Sequence, residues 1–310
     1  MSLTACIEAC NTFSLVKGVK SVLKPLQSAD VERRRQSSDD EREKIEIELL
    51  LEGIYRLYGF DFRHYSYPSI RRRIWNRIYG ERLQTVSELQ AKVLHNHESM
   101  NRLVSELVIH VTEMFRDPHV FAYFRQHVVP LLRNLPSIRI WHAGCSTGEE
   151  VYSLAILLYE EGLYNRTTLY ATDLSEDALQ FAEQAAYPLN KMKEYTKNYL
   201  LAGGKDEFSK YYSTSDNAAA FHSHLRQHIV FAQHNLATDH SFNEFHVIFC
   251  RNVMIYFNTE LQTKVHELIY DSLCQSGFLV LGAKETITFT QYASRYELLS
   301  AQEKLYRKKV

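Results

Sequence analysis

The apolar run Ile138–Ala143 leads directly into a turn holding two glycines, Gly144 and Gly148, and then into the helix-like stretch Glu149–Tyr159. No other feature constrains the fold so strongly, because strand, glycine turn and helix in that order open a nucleotide-binding βαβ unit. The same texture continues downstream. Short β-branched or aromatic runs at Thr167–Ala171, Phe245–Cys250 and Phe278–Leu281 alternate with helical patterns near 149–161, 175–185 and 259–273. This alternation predicts an α/β fold with a doubly wound parallel sheet. Ser175 before Glu176 and Asp177 marks one helix start, and Thr259 with Gln262 predicts a capping box at another.

The turn poses an electrostatic problem. A helix start offers unpaired N–H groups and partial positive charge, which suit a phosphate, yet Glu149 and Glu150 occupy its first turn and repel one. S-adenosylmethionine removes the conflict. It has adenine and ribose but no phosphate, and its sulfonium and ammonium groups are cationic. Glu149 is then a candidate partner of the cationic tail, the alternative being that both glutamates only complement the helix dipole, worth ~0.3–1 kcal/mol each. Asp173, 25 residues past Gly148, stands at the interval where an acid accepts bonds from ribose hydroxyls. A nicotinamide enzyme fits less well, since the third glycine of its fingerprint is missing.

The chain of 310 residues exceeds the usual single-domain length. Residues 1–42 read as an extension and linker, with Phe13, Val16, Val19, Leu23 and Leu26 at helical spacing and a mixed-charge run over 32–41. Residues 43–133 form a helical pattern, and 134–310 carry the alternating texture, interrupted at about 189–235 by what reads as an inserted small antiparallel β subdomain. The net charge of −1 gives no whole-molecule attraction for nucleic acid or anionic lipid. Five cysteines without a C-x-x-C pair argue against disulfides and structural zinc, and no apolar window approaches ~18 residues. A cytoplasmic location without an integral membrane segment is the expectation.

Four motifs in order carry a family resemblance: Thr112-Glu-Met-Phe-Arg-Asp-Pro118, Ala143-Gly-Cys-Ser-Thr-Gly-Glu-Glu-Val-Tyr-Ser153, Ala171-Thr-Asp-Leu-Ser175 and Phe249-Cys-Arg-Asn-Val-Met-Ile-Tyr-Phe257. Together with Tyr58–Phe62 and Arg71–Arg73, they resemble the CheR family of chemotaxis-receptor methyltransferases, over about 43–310. The resemblance implies an all-helical N-terminal domain, a methyltransferase sheet and a small β subdomain. It also implies methyl transfer from S-adenosylmethionine, leaving S-adenosylhomocysteine, to glutamate side chains in chemoreceptor cytoplasmic helices. Cofactor contacts would fall on Thr112, Arg116, Gly144, Glu149, Asp173, Asn235, Leu236, Arg251 and Asn252, and on His110, where relatives often have another polar side chain. A receptor tail peptide at the β subdomain is a further partner left open. The alternative is a non-catalytic adaptor of the same fold that only holds adenosylmethionine.

The chemistry needs little from the protein. A glutamate with a reference pKa near ~4.3 is already a nucleophile at neutral pH, so no general base or catalytic triad is required. Alignment and exclusion of water are the remaining tasks. Arg116 and Tyr256 are assigned to orienting the carboxylate, as a cation and a hydroxyl. Arg71, Arg72, Arg73 and Arg77 form a local basic face suited to an acidic receptor helix, although Trp75 and Tyr79 beside them also permit RNA; no nucleic-acid-binding fold is recognised. His222, His224, His228 and His234 have no cysteine or carboxylate completing a metal set, so no metal is expected. Cys145 reads as a small lining residue or an activated thiol.

Overall fold

A computed structural model describes residues 28–108 and 112–310, with 28–37 described by backbone alone. The helical pattern at 13–26 and the expected contact His110 lie outside the described residues. The described residues up to Ile45 and Glu46–Val310 belong to two separate units. The charged run 32–41, expected to be a linker, is instead helical in α1, Ser28–Tyr58. Mixed charges at helical spacing, such as Asp39 and Arg42 at 3.7 Å, suit an exposed helix as well as a coil.

In the larger unit the helical pattern resolves into α2 (Tyr67–Gly80), α3 (Val86–His95) and α4 (His97–Leu107). They bury Ile70, Ile74, Ile78, Leu89 and Leu103 together with Leu50, Ile54 and Phe62. The starts follow local chemistry. Pro68 sits in the first turn of α2, the Thr85 hydroxyl accepts from Glu88 N at 3.1 Å, and the Asn96 side-chain Oδ1 accepts from Ser99 N at 2.9 Å. Helices α5 (Pro118–His127) and α6 (Val129–Leu132), expected within the helical stretch 43–133, pack Phe121, Phe124 and Leu132 against Ile140, Leu154 and Phe249 of the sheet core instead. Their apolar faces match the sheet rather than α2–α4.

The main sheet contains β1 (Ile138–Ala143), β2 (Thr167–Asp173), β6 (Ile229–Gln233), β7 (Phe245–Cys250), β8 (Leu273–Leu281), β9 (Tyr296–Ser300) and β10 (Leu305–Lys308). Their order is β6-β2-β1-β7-β8-β10-β9; the first five are parallel and β10 is antiparallel to both neighbours. Helices α7 (Glu149–Glu160), α8 (Glu176–Gln184) and α10 (Thr259–Ser272) follow β1, β2 and β7. Between α8 and β6, β3 (Ala186–Pro188), β4 (Tyr212–Thr214) and β5 (Ala218–Phe221) make the small antiparallel sheet, with α9 (Met192–Leu201) beside it. Helix α7 is buried on nearly all sides because Tyr187 of β3 and Phe221 of β5 pack on Tyr152 from outside.

Two local expectations are corrected. Residues 229–235 do not belong to the insertion: β6 pairs in parallel with β2, Leu169 opposite Ile229 through Asp173 opposite Gln233. At the sheet edge Val230 is exposed, and the short apolar run Ile229–Ala232 does not by itself tell a strand of the main sheet from one of the small sheet. Thr259 is not a cap. Asn258 caps α10 by accepting from Leu261 N at 2.9 Å, and the Gln262 amide donates to the carbonyls of Met254 and Phe257. Ser175 caps α8 as expected, through Ala178 N at 3.2 Å.

Candidate functional site

The C-terminal ends of β1, β2, β6 and β7 open onto one cleft of about 970 Å³, including solvent at its mouth. That is where an open α/β sheet receives its ligand. Nine residues expected at the site line it together: Thr112, Arg116, Gly144, Asp173, Asn235, Leu236, Arg251, Asn252 and Tyr256.

The turn after β1 forms the floor. Gly144 has φ +77°, and a Cβ there would stand 2.5 Å from Val253 Cγ2, so only glycine permits that approach. Asp173, at the end of β2 and 6% exposed, accepts from Ser146 N at 2.7 Å and Ser175 N at 3.0 Å. An ionised carboxylate accepts about four hydrogen bonds. Two of these are the bonds to Ser146 N and Ser175 N, which shape the turns beside the cleft. After β6, Asn235 folds its own loop: its side chain accepts from Ala237 N at 3.0 Å, and its N–H donates to Asp239 at 2.8 Å. Cys145 is buried in the cleft wall, and burial pushes its thiol well above the ordinary range. That makes it a neutral lining group, not an activated nucleophile.

Of the two glutamates at the start of α7, Glu150 lines the cleft, while the expected contact Glu149 is not in the wall. Thr147 Oγ1 donates to Glu149 at 2.6 Å and the Tyr195 hydroxyl at 3.4 Å, holding the side chain beside α9. Burial there pushes its carboxyl up. Burial also favours the neutral form of Glu150, but the Arg251 charge and His142 outweigh it and hold the Glu150 carboxyl below its usual range. Arg251, its side chain 1% exposed, donates to Glu150, to Asp117 at 2.7 Å and to the Arg116 carbonyl at 3.2 Å. It thus ties the end of β7 to the α7 start and to the segment carrying Arg116. That segment is bent: Phe115 has φ 51° and Asp117 φ 54°, a conformation side chains seldom adopt and one that clusters at functional sites.

The helical region also reaches the cleft. Tyr65, Leu107 and Val108 line it, Ser66 N donates to the Tyr256 carbonyl at 2.7 Å, and Tyr65 bridges to Phe257. Of the four arginines expected to meet substrate, none is in the cleft wall. Arg71 and Arg72 are exposed on α2, and Arg77 binds Glu81. Arg73 lies nearest: it donates to the Glu106 carbonyl at 2.8 Å, and its guanidinium is 5.8 Å from the centre of the Tyr256 ring. Among the described residues no group of three or more His, Cys, Asp or Glu side chains is placed to hold a metal. Glu285 was not legible in the sequence, for it lies in no motif. Its carboxylate, 5% exposed, gathers backbone N–H groups of the loop after β7.

A family model described as the CheR methyltransferase SAM binding domain matches residues 110–304, and one described as the CheR methyltransferase all-alpha domain matches 45–108. The chain belongs to the CheR methyltransferase family. It is 50% identical over 264 residues to Cher3 of Pseudomonas putida, spanning 85% of this chain and 97% of that one. Chemotaxis protein methyltransferase 2 of Pseudomonas aeruginosa is 30% identical, over 79% of this chain and 87% of its own. A chemotaxis protein methyltransferase of Listeria innocua is 28% identical, over 76% and 87%. As a CheR-type methyltransferase the protein uses S-adenosylmethionine, and its cleft suits that molecule. Asn252 Oδ1 and His142 Nε2 are buried at the cleft without a hydrogen-bond partner among the described residues, which offers a ligand two polar contacts.

Proposed function

We propose that the protein transfers the methyl group of S-adenosylmethionine to side-chain carboxylates of glutamates in chemoreceptor cytoplasmic helices, forming methyl esters. The observation that carries this reading is convergence: Arg116 and Tyr256 line the same cleft as Asp173, and Arg73 of the basic helix stands over Tyr256. The cofactor supplies an electrophilic methyl on a sulfonium. Asp173 and Asn252 hold the nucleoside, and Arg116 with the Tyr256 hydroxyl orients the incoming carboxylate, which needs no base to become a nucleophile. Tyr65, Val108 and Phe257 supply apolar wall that keeps water from the reacting atoms. Exposed Arg71 and Arg72 extend a positive face along α2 toward an acidic helix. Strand β4 is an edge of the small sheet, which gives a receptor tail peptide a place to add as a strand.

The test is transfer of labelled methyl from S-adenosylmethionine to receptor cytoplasmic fragments from the producing cell. Label should appear on the fragments and leave under mild base, as an ester does. Arg116→Ala should lower transfer at least about 100-fold with the fold intact, the scale lost when an aligning charge is removed. Base-stable label would rule out the ester, and full activity of the variant would remove Arg116 from the mechanism.

A further inference from the structure

We propose that Glu285 is a positioning residue for methyl-donor binding, acting on the cleft through the backbone of the loop that carries Asn252 and Tyr256. Each oxygen of its carboxylate is used twice. Oε1 accepts from Val253 N at 2.9 Å and Met254 N at 2.8 Å, and Oε2 accepts from Asn252 N at 2.9 Å and Gly282 N at 2.6 Å. Three of these donors are consecutive residues that leave β7 toward the cleft, so one anion fixes the direction of three successive peptide planes.

The loop needs such a holder. Asn252 has φ 60°, the left-handed region that asparagine enters more readily than most residues but that still needs neighbours to select it over the extended one. That conformation brings Asn252 to the cleft with Oδ1 buried and unpartnered, the acceptor a ligand N–H or O–H would satisfy. Val253, next along, meets the glycine turn, since a Cβ on Gly144 would stand 2.5 Å from its Cγ2. Glu285 itself is outside the cleft wall, so its influence on a ligand passes through these neighbours. Gly282 completes the arrangement, because a Cβ there would fall 2.8 Å from both Asn252 N and Glu285 Oε2.

The double use of both oxygens makes an unusual demand on chemistry. A glutamine has nearly the same shape, but whichever way its amide is turned, its NH₂ faces two N–H donors. The charge-neutral isostere therefore breaks the arrangement it imitates. Aspartate keeps the charge and both acceptors but lacks one methylene of reach.

The inference rests on the cofactor side of the function above and not on the identity of the methyl acceptor, so its test uses donor binding alone. S-adenosylmethionine is titrated calorimetrically into the full chain, its Glu285→Gln and Glu285→Asp variants, and a control, Glu161→Gln. Glu161 is a comparably buried carboxylate, bonded to Arg125, Arg133 and Lys205 away from the cleft, so its variant reports general loss of stability. Glu285→Gln, folded by circular dichroism, should bind at least about tenfold more weakly, as the loop carrying Asn252 loses the charge-assisted bonds that hold it. Glu285→Asp should fall between it and the natural protein, and Glu161→Gln should bind within about twofold of the natural protein despite a lowered melting temperature. Glu285→Asp carries the test if the glutamine variant does not fold. Unchanged affinity in folded Glu285 variants, or equal weakening by Glu161→Gln, would overturn the proposal. Failure of receptor methylation beside this pattern of donor affinities would remove the acceptor reading and leave Glu285 in its role.

Discussion

Arg251 and Asp173 show what single side chains contribute here. The guanidinium of Arg251 is occupied by Glu150, Asp117 and the Arg116 carbonyl, so its clearest service is to hold the Arg116 segment in place. Arg251→Met should cost about 3–5 kcal/mol in urea unfolding, because Glu150 keeps its buried charge and loses its partner. A loss below about 1 kcal/mol would show the pair to be ornamental. At Asp173 the prediction is for binding: Asp173→Ala should weaken S-adenosylmethionine by about 10–100-fold in calorimetry, equivalent to losing charged bonds of ~1.5–3 kcal/mol. Affinity equal to the natural protein would place the ribose elsewhere. His266 offers a pH-dependent check. Burial lowers it from 6.5 to about 4, so the folded protein keeps it neutral where the unfolded chain takes up a proton. Its contribution is therefore whole above about pH 6.5 and is lost as pH falls toward 4, by at most about 3 kcal/mol. Urea unfolding of His266→Leu across that range should show a flatter acid limb than the natural protein; parallel limbs would contradict the assignment.

Among the elements, the strand–turn–helix after Ile138 was legible because its signals are local. Apolar residues at β1 and glycines at positive φ need no knowledge of the rest of the chain, and β1 and β7 have the bounds their sequence predicts. What was not legible depends on distant neighbours. Strand β6 is half-exposed at an edge, β9 and β10 pair beyond β8 without a strong apolar run, and α5 declares its partner only through the sheet it covers. Glu149 and Glu150 look alike in the sequence, yet helical geometry turns one toward Tyr195 and the other toward Arg251. The turn itself yields a prediction. Gly144→Ala must place a Cβ against Val253 at positive φ, which should cost at least about 1 kcal/mol and weaken donor binding alongside. An alanine variant of natural stability would show that the turn has room to spare.

At the scale of the molecule, the fold joins two sources of chemistry. The sheet supplies the cleft at its strand ends, while the helical region contributes Tyr65, Leu107 and Val108 to it and brings Arg73 near Tyr256. Nine expected site residues meet there although they are scattered from Thr112 to Tyr256, since strand ends gather what the chain separates. The acidic helix start that excludes a pyrophosphate is used twice: Glu150 anchors Arg251, and Glu149 fastens α9 to the glycine turn. Where the donor lies is decisive, and a crystal structure of the protein with S-adenosylhomocysteine bound measures that directly. The ribose hydroxyls should meet the Asp173 carboxylate beside Gly144, with Asn252 Oδ1 accepting a hydrogen bond from the ligand. The nucleoside lodged away from Gly144, Asp173 and Asn252 would contradict it.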